Sequence, residues 1–167
     1  MDAGSVIAIV KALQDRGVRY LIVGGLAVVH HGYLRFTADV DIVLDMDSAN
    51  IAHAIQAFTS LGYRPRVPVP FAQYADPQAR ATWAREKNMK VFPLWSPDHP
   101  ATIFDLFLEC PFDFERAHAA AGQRELAPGV SATFVGLEDL LRLKAESARP
   151  VDKDDIDHLT RPADGPE

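Results

Sequence analysis

Two aspartates spaced two positions apart, Asp39 and Asp41, are the clearest candidates for a chemical role in this sequence. They open the run DVDIVL, which predicts a β-strand. Side chains alternate between the faces of a strand, so both carboxylates lie on one face with their Cα atoms about 7 Å apart. When ionised they repel each other, and a shared divalent cation removes that cost. Because hard oxygen ligands suit Mg²⁺ or Mn²⁺, the pair predicts a metal site.

A glycine pair, Gly24-Gly25, precedes the aspartates. The run RYLIV at 19–23 predicts a buried strand, and a helical pattern resumes at 26–31. At such a strand-to-helix junction, free backbone N–H groups and the positive helix end face an anion, and glycine permits its close approach. A phosphate cradle followed by a metal-binding carboxylate pair indicates phosphoryl chemistry.

This combination resembles the signature of the nucleotidyltransferase superfamily, which has the polymerase-beta-like fold. The signature is Gly-Gly or Gly-Ser after the first strand and Asp-x-Asp on the next. The intervening string, with Ala27, Gly32, Arg35 and Thr37, is similar to the toxin-type, abortive-infection-like branch of minimal nucleotidyltransferases. The superfamily's third carboxylate lies on a later strand among apolar neighbours, and Asp105 in TIFDLFL fits it.

The resemblance extends to the C-terminal part of the chain. Lys144, Arg149, Asp152 and Asp155 match that branch's Lys followed by Arg-Pro-x-Asp-x-x-Asp-Ile. Many superfamily members carry Gly-Ser, whose hydroxyl contacts a phosphate, whereas Gly25 leaves only backbone donors. We therefore expect Lys144 to compensate by contacting the triphosphate.

The resemblance implies an enzyme that moves a nucleoside monophosphate from an NTP, such as ATP, to an acceptor hydroxyl, with Mg²⁺ or Mn²⁺ as cofactor. The implied catalytic and metal-binding residues are Asp39, Asp41 and Asp105. The implied nucleotide-binding residues are Gly24, Gly25, Arg35, Thr37 and Lys144.

The acceptor is left open by the sequence: an RNA such as tRNA, a protein or a small molecule. The toxin-type resemblance implies one half of a toxin–antitoxin pair, with an antitoxin as partner chain. The alternatives are an antibiotic-modifying nucleotidyltransferase, similar to the lincosamide enzymes, and a catalytically idle binding or partner module of the same fold. Three intact carboxylates argue against the idle module.

Charge bears on the acceptor in two opposing ways. With 17 basic and 23 acidic residues, the net charge of −6 disfavours broad nucleic-acid binding. The segment 63–100 partly restores the possibility of nucleic-acid binding, because its basic and aromatic side chains can hold phosphates and stack a base. The same side chains can equally form the surface and core of one hairpin. These side chains are Arg64, Arg66, Arg80, Arg85, Lys87, Lys90, Phe71, Tyr74, Trp83, Phe92 and Trp95.

The candidate residues also have purely structural explanations. Alternate aspartates can mark the wet face of a strand, and Asp105 could lie at an exposed turn of an edge strand. Lys144 and Arg149 could be cations favoured near a helix C-terminus. Asp152 and Asp155 could be first-turn carboxylates of the last helix.

The elements that must position these residues follow a regular order. Helices are predicted at 5–16, 26–31, 47–61, 111–121, 137–148 and 152–159, strands at 19–23, 39–44 and 101–108, and a hairpin at 125–135. Seven prolines between 65 and 100 predict only short strands and turns there. The pattern predicts an α/β (α+β) fold, with a short mixed sheet flanked by helices and a helical C-terminal end.

Length and composition favour a single domain at 1–160 followed by a disordered tail at 161–167. The one cysteine, Cys110, allows no intrachain disulfide, which fits a reducing compartment. The N-terminal residues lack the pattern of a signal peptide, and no apolar run approaches the roughly 18 residues that span a bilayer. We therefore expect a cytoplasmic protein without a membrane partner.

Overall fold

A computed structural model describes residues 1–161. The predicted tail therefore lies, from residue 162 onward, outside the described residues. The helices are α1 Ala3–Asp15, α2 Gly24–His30, α3 Ser48–Ser60, α4 Pro77–Glu86, α5 Phe114–Ala119, α6 Leu137–Ser147 and α7 Pro150–Thr160, with a 3-10 turn at Phe71–Ala75. The strands are β1 Tyr20–Val23, β2 Asp39–Leu44, β3 Arg64–Pro65, β4 Val91–Trp95, β5 Ile103–Phe107, β6 Gly122–Ala127 and β7 Val130–Phe134.

The strands form one seven-stranded sheet in the order β3-β4-β5-β2-β1-β7-β6. Strand β2 is antiparallel to β1 and parallel to β5, while β4 runs antiparallel to β5. This mixed sheet with flanking helices confirms the predicted fold class. The two candidate aspartates of β2 thus lie near the middle of the sheet, where a strand has a partner on each side.

The sheet has one buried face opposite the candidate carboxylates. Val40 and Ile42 of β2 and Phe104 and Leu106 of β5 are inaccessible to solvent, and the residues between them are half-buried. Helix α3 covers this face, with the Phe58 ring 5.3 Å from that of Phe104 and edge-on to it. Because successive side chains of a strand point to opposite faces, the positions between these apolar residues lie on the other face of the sheet.

The segment 63–100 differs from the prediction, because it contains the ten-residue helix α4. Pro77 occupies the first turn, where its missing N–H costs nothing, and the Asp76 carboxylate caps the helix by accepting from the Gln78 N–H. Trp83 of α4 stacks on Phe92 at 5.3 Å, on the buried face. The prolines predicted only short strands and turns, whereas one of them begins a helix.

Two predicted helix starts also shift because a carboxylate takes the capping position. Helix α1 begins at Ala3 because Asp2, rather than Ser5, accepts the capping hydrogen bond. Asp113 caps α5, so this helix begins later than the predicted residue 111. The other predicted elements are present within a few residues. None of the helices within residues 1–161 is both long enough and apolar enough to cross a bilayer.

Candidate active site

Three aspartates face the same side of the sheet on adjacent strands. Asp41 of β2 lies opposite Asp105 of β5 in the parallel ladder, and Asp39 lies opposite Ile103. Side chains at paired positions point to the same face, and neighbouring strands are about 4.8 Å apart. The fold thus brings together the three carboxylates that were predicted from two separate parts of the sequence.

Burial and neighbouring charges shift the pKa values of two of the three carboxylates. Burial raises the pKa of Asp41 to about 6, where the cation of Lys144 opposes the shift and Asp39 adds to it. Burial, together with the negative charges of Asp41 and Asp39, also raises the pKa of Asp105 to about 6. Crowded, half-buried carboxylates of this kind favour either a proton or a bound cation between them.

The cluster fits a hard divalent cation in its chemistry, because all three groups supply carboxylate oxygens. Within residues 1–161, no three His, Cys, Asp or Glu side chains already lie close enough together to enclose a metal ion. Asp39, Asp41 and Asp105 would therefore turn about their side-chain torsions to share one. All three are only partly buried on the sheet face.

The glycine pair lies directly against the carboxylates. Gly24 has a φ of +65°, and a Cβ atom there would overlap Asp41 Oδ2. A Cβ at Gly25 would lie 2.5 Å from Thr37 Oγ1 and 3.0 Å from Arg35 Nη2. Val23, which precedes α2, offers no side-chain cap to the N–H groups of the first turn. These donors remain available beside the carboxylate cluster.

The loop at 31–38 alternates between inward and outward side chains. Arg35 and Thr37 pack toward Gly25, and the Thr37 hydroxyl donates to the Asp39 carbonyl at 3.2 Å. Leu34 and Phe36 point outward and are 82% and 83% exposed. The loop thus places the Arg35 guanidinium and the Thr37 hydroxyl beside Gly25, and both residues are among those predicted to bind the nucleotide.

Lys144 is buried between two carboxylates of the following helix. Its Nζ lies 2.9 Å from Asp152 Oδ1 and 2.8 Å from Asp155 Oδ2, and both aspartates are inaccessible to solvent. Arg149 Nε donates to Asp152 Oδ2 at 2.7 Å, and Arg35 Nε lies 2.7 Å from Asp155 Oδ1. We call these five residues the α6–α7 charge cluster.

The charge cluster joins the site to the C-terminal helices. Arg35 belongs both to the cluster and to the loop at Gly25, and the charges of Lys144, Arg149 and Arg35 all lower the pKa of Asp41. The Lys144 ammonium therefore lies near the carboxylates but within the protein, with two anionic partners of its own. Although burial opposes it, hydrogen bonds from Arg149 and Lys144 hold the pKa of Asp152 far below its usual range.

Two features beside the site were not predicted. Tyr33 donates to Asp154 Oδ2 at 2.9 Å and stacks on His158 at 3.9 Å, which ties the loop to α7 a second time. Arg66 lowers the pKa of Asp105 from the other side of the cluster. No local pattern marks either feature, because Asp154 and Asp105 are distant in sequence from Tyr33 and Arg66.

Comparisons with known proteins support the fold. No protein-family model matches this chain, and no curated protein matches its sequence. Among solved structures, the lincosamide antibiotic adenylyltransferase LnuA, bound to lincomycin, is similar with a TM-score of 0.60 and 17% identity over 93% of this chain and 94% of LnuA. ANT(2″)-Ia in complex with adenylyl-2″-tobramycin is similar with a TM-score of 0.55 and 13% identity over 94% of this chain and 86% of its own. The chain therefore has the fold of these two proteins.

Proposed function

We propose that the chain is a metal-dependent nucleotidyltransferase that moves a nucleoside monophosphate from an NTP to an acceptor hydroxyl. The observation that carries this proposal is the contact between Gly24 and Asp41, with Asp105 beside Asp41 on the next strand. This contact joins an anion-binding turn to a carboxylate cluster. A fold shared with an adenylyltransferase supports the same chemistry.

The donor nucleotide binds on the glycine side of the cluster in this proposal. Backbone N–H groups at Gly24 and Gly25 and the Thr37 hydroxyl donate to its phosphates, and Arg35 adds a positive charge. Asp39, Asp41 and Asp105 would hold Mg²⁺ or Mn²⁺. The ion, when bound, neutralises phosphate charge and lowers the pKa of the acceptor hydroxyl.

The transfer step needs a base on the acceptor side. The acceptor oxygen forms a bond to the α-phosphorus, the bond from that phosphorus to the bridging oxygen breaks, and pyrophosphate leaves. Asp105 accepts the acceptor's proton on a carboxylate oxygen.

In this scheme Lys144 does not contact the triphosphate directly. Its ammonium is 4% exposed and already bonded to Asp152 and Asp155. We assign it to holding Asp155, which in turn holds Arg35 at the nucleotide side. Lys144 also adds positive charge near Asp41.

Two biological settings suit this activity. The structures of LnuA with lincomycin and of ANT(2″)-Ia with adenylyl-tobramycin favour a small-molecule acceptor. The sequence motifs favour the toxin of a toxin–antitoxin pair, which acts in the cytoplasm on RNA or protein. The idle-module alternative predicts no transfer at all.

One experiment tests the activity and reports the acceptor class. The protein is incubated with Mg²⁺, each α-labelled NTP in turn and a cell lysate, which is then separated into RNA, protein and small molecules. We expect label in one fraction, matched by pyrophosphate release, and none with Asp41→Asn. Equal labelling by wild type and Asp41→Asn, or no labelling with any NTP, would contradict the proposal.

A further inference from the structure

One face of β3, β4 and β5 is open beside the carboxylate cluster. The buried positions of β4 and β5, such as Phe92 and Phe104, point to the face that α3 and α4 cover. The alternate positions, Pro93, Trp95 and Ile103 among them, are half-buried and lie on the same face as Asp105. A ligand can therefore reach Asp105 along this face.

A row of residues crosses the sheet in register at Asp105. Asp41 pairs with Asp105, and Asp105 pairs with Pro93. The β3–β4 ladder continues past its last paired residue, because the Arg66 N–H donates to the Pro93 carbonyl at 2.9 Å. Paired positions share a face, so Arg66 lies on the carboxylate face, two strands beyond Asp105.

Pro93, whose side chain is a small ring, is the residue between Arg66 and Asp105 in this row. An arginine side chain is long enough to cover most of the distance across one intervening strand. Arg66 is itself exposed, so its guanidinium is accessible to a ligand. It is a cation on the side of the cluster that faces away from Gly24.

The opposite side of the row is closed by the donor site. Gly24 contacts Asp41 so closely that no Cβ fits between them, and Thr37 and Arg35 fill the space at Gly25. If the triphosphate binds there, the acceptor must approach Asp105 from β4 and β3. The half-buried Trp95 ring lies on that approach, with the Arg64 guanidinium over it at 5.4 Å from the ring centroid.

We propose that Arg64, Arg66, Pro93 and Trp95 form the acceptor platform, and that Arg66 selects an acceptor that carries an anionic group beside a flat ring. This proposal rests on the proposed function and names the substrate class of the same site. The shared chemistry is that of a nucleotide, either free or at the end of an RNA strand. Arg66 disfavours an acceptor with several ammonium groups, such as tobramycin, because like charges repel.

The test measures acceptor binding with the donor site already filled. Wild-type protein is saturated with Mg²⁺ and a non-transferable NTP analogue, and binding of AMP, of a short fluorescent single-stranded RNA and of tobramycin is then measured. Arg66→Glu reverses the charge at the platform. Arg66→Lys keeps the positive charge. Arg85→Glu makes the same charge reversal at an exposed position of α4, the helix that packs on the sheet face opposite the carboxylates.

We expect Arg66→Glu to weaken AMP or RNA binding at least tenfold, which is the order of one lost charge-assisted contact. Arg66→Lys should retain most of the affinity, and Arg85→Glu should behave as wild type. Tight binding of AMP identifies a free nucleotide as acceptor, and binding of RNA alone identifies a strand end.

Three outcomes would overturn the platform. They are unchanged nucleotide binding in Arg66→Glu, equal losses in Arg66→Glu and Arg85→Glu, and wild-type protein that binds tobramycin but neither AMP nor RNA. The donor analogue is titrated separately on each protein. Failure of that titration in wild type counts against the nucleotidyltransferase proposal, whereas a normal titration with unchanged acceptor binding counts against the platform alone.

Discussion

At the scale of single residues, the Gly-Gly variant of the motif has a steric explanation. The Thr37 hydroxyl occupies the space into which a side chain at position 25 would project, 2.5 Å from the ideal Cβ position. A hydroxyl is therefore still present beside the anion-binding turn, but it comes from the following loop. Gly25 and Thr37 act as a matched pair in this interpretation.

An exchange of the two residues tests this pairing. Gly25→Ser alone should lower the melting temperature and weaken NTP binding about tenfold or more, because the new Cβ contacts Thr37 too closely. Adding Thr37→Gly removes that clash while the serine introduced at position 25 restores a hydroxyl, so the double variant should bind NTP better than either single variant. The measurement is a double-mutant cycle by NTP titration at saturating Mg²⁺. Additive losses would show that the two positions are independent.

The raised pKa values of Asp41 and Asp105 predict a pH-dependent metal effect. Between their ordinary value of 3.8 and about 6, the native state holds more protons on these groups than the unfolded state. Their contribution to the free energy of unfolding therefore falls as pH rises through this window. Bound Mg²⁺ should reverse the trend, so its melting-temperature shift should be larger at pH 7.5 than at pH 5.

The control for this prediction is Asp41→Asn, which removes one of the two titrating groups and one metal ligand. Its Mg²⁺-induced shift should be small at both pH values. Thermal melts at the two pH values, with and without Mg²⁺, measure both effects. A Mg²⁺ shift in wild type that does not change with pH would contradict the assignment of the ion to these carboxylates.

At the scale of elements, local patterns predicted most strands and helices, and non-local contacts completed the site. The alternation around Asp39 and the apolar flanks of Asp105 predicted both strands, but no local signal fixes the parallel register that sets Asp41 opposite Asp105. Lys144 and Asp152 lie eight residues apart and belong to one recognisable motif. The bond from Arg35 to Asp155 spans 120 residues, so only the folded chain reveals it.

The α6–α7 charge cluster should make a large contribution to stability. Lys144→Ala leaves Asp152 and Asp155 buried with one cation fewer, which should lower the free energy of unfolding by about 3–5 kcal/mol. The matched control is Lys11→Ala, whose exposed pair with Asp15 should contribute about 1 kcal/mol or less. Urea unfolding at pH 7 measures both. Similar losses in the two variants would contradict the burial of Lys144.

At the scale of the whole molecule, the two proposed binding sides lie on either side of the carboxylates. The proposed donor contacts lie toward β1 and α2, the proposed acceptor contacts lie toward β3 and β4, and the carboxylates lie between them on β2 and β5. The fold shared with LnuA covers 93% of this chain and 94% of LnuA, so the likeness extends over the whole sheet and is not confined to a local motif. Length and composition predicted a single domain, but they do not indicate on which side of the carboxylates the proposed donor and acceptor bind.

This separation predicts distinct effects for the aspartates. Asp105→Asn should retain most of the NTP affinity and abolish transfer, because Asp105 lies on the acceptor side. Asp39→Asn should weaken NTP binding as well as transfer. Equilibrium titration with NTP and a single-turnover assay distinguish the two. An Asp105→Asn protein that still transfers label would remove Asp105 from the proposed chemistry.

The tie between Arg35 and α7 has a consequence for the order of events in biosynthesis. All three carboxylates and the glycine pair leave the ribosome well before Asp155 does, because they precede it by at least 50 residues. A nascent chain can thus assemble its sheet while Arg35 still lacks its anchor. Competence for nucleotide binding should therefore arise in one late step, when α7 docks, and a partner that intercepts α7 could hold a fully translated chain inactive.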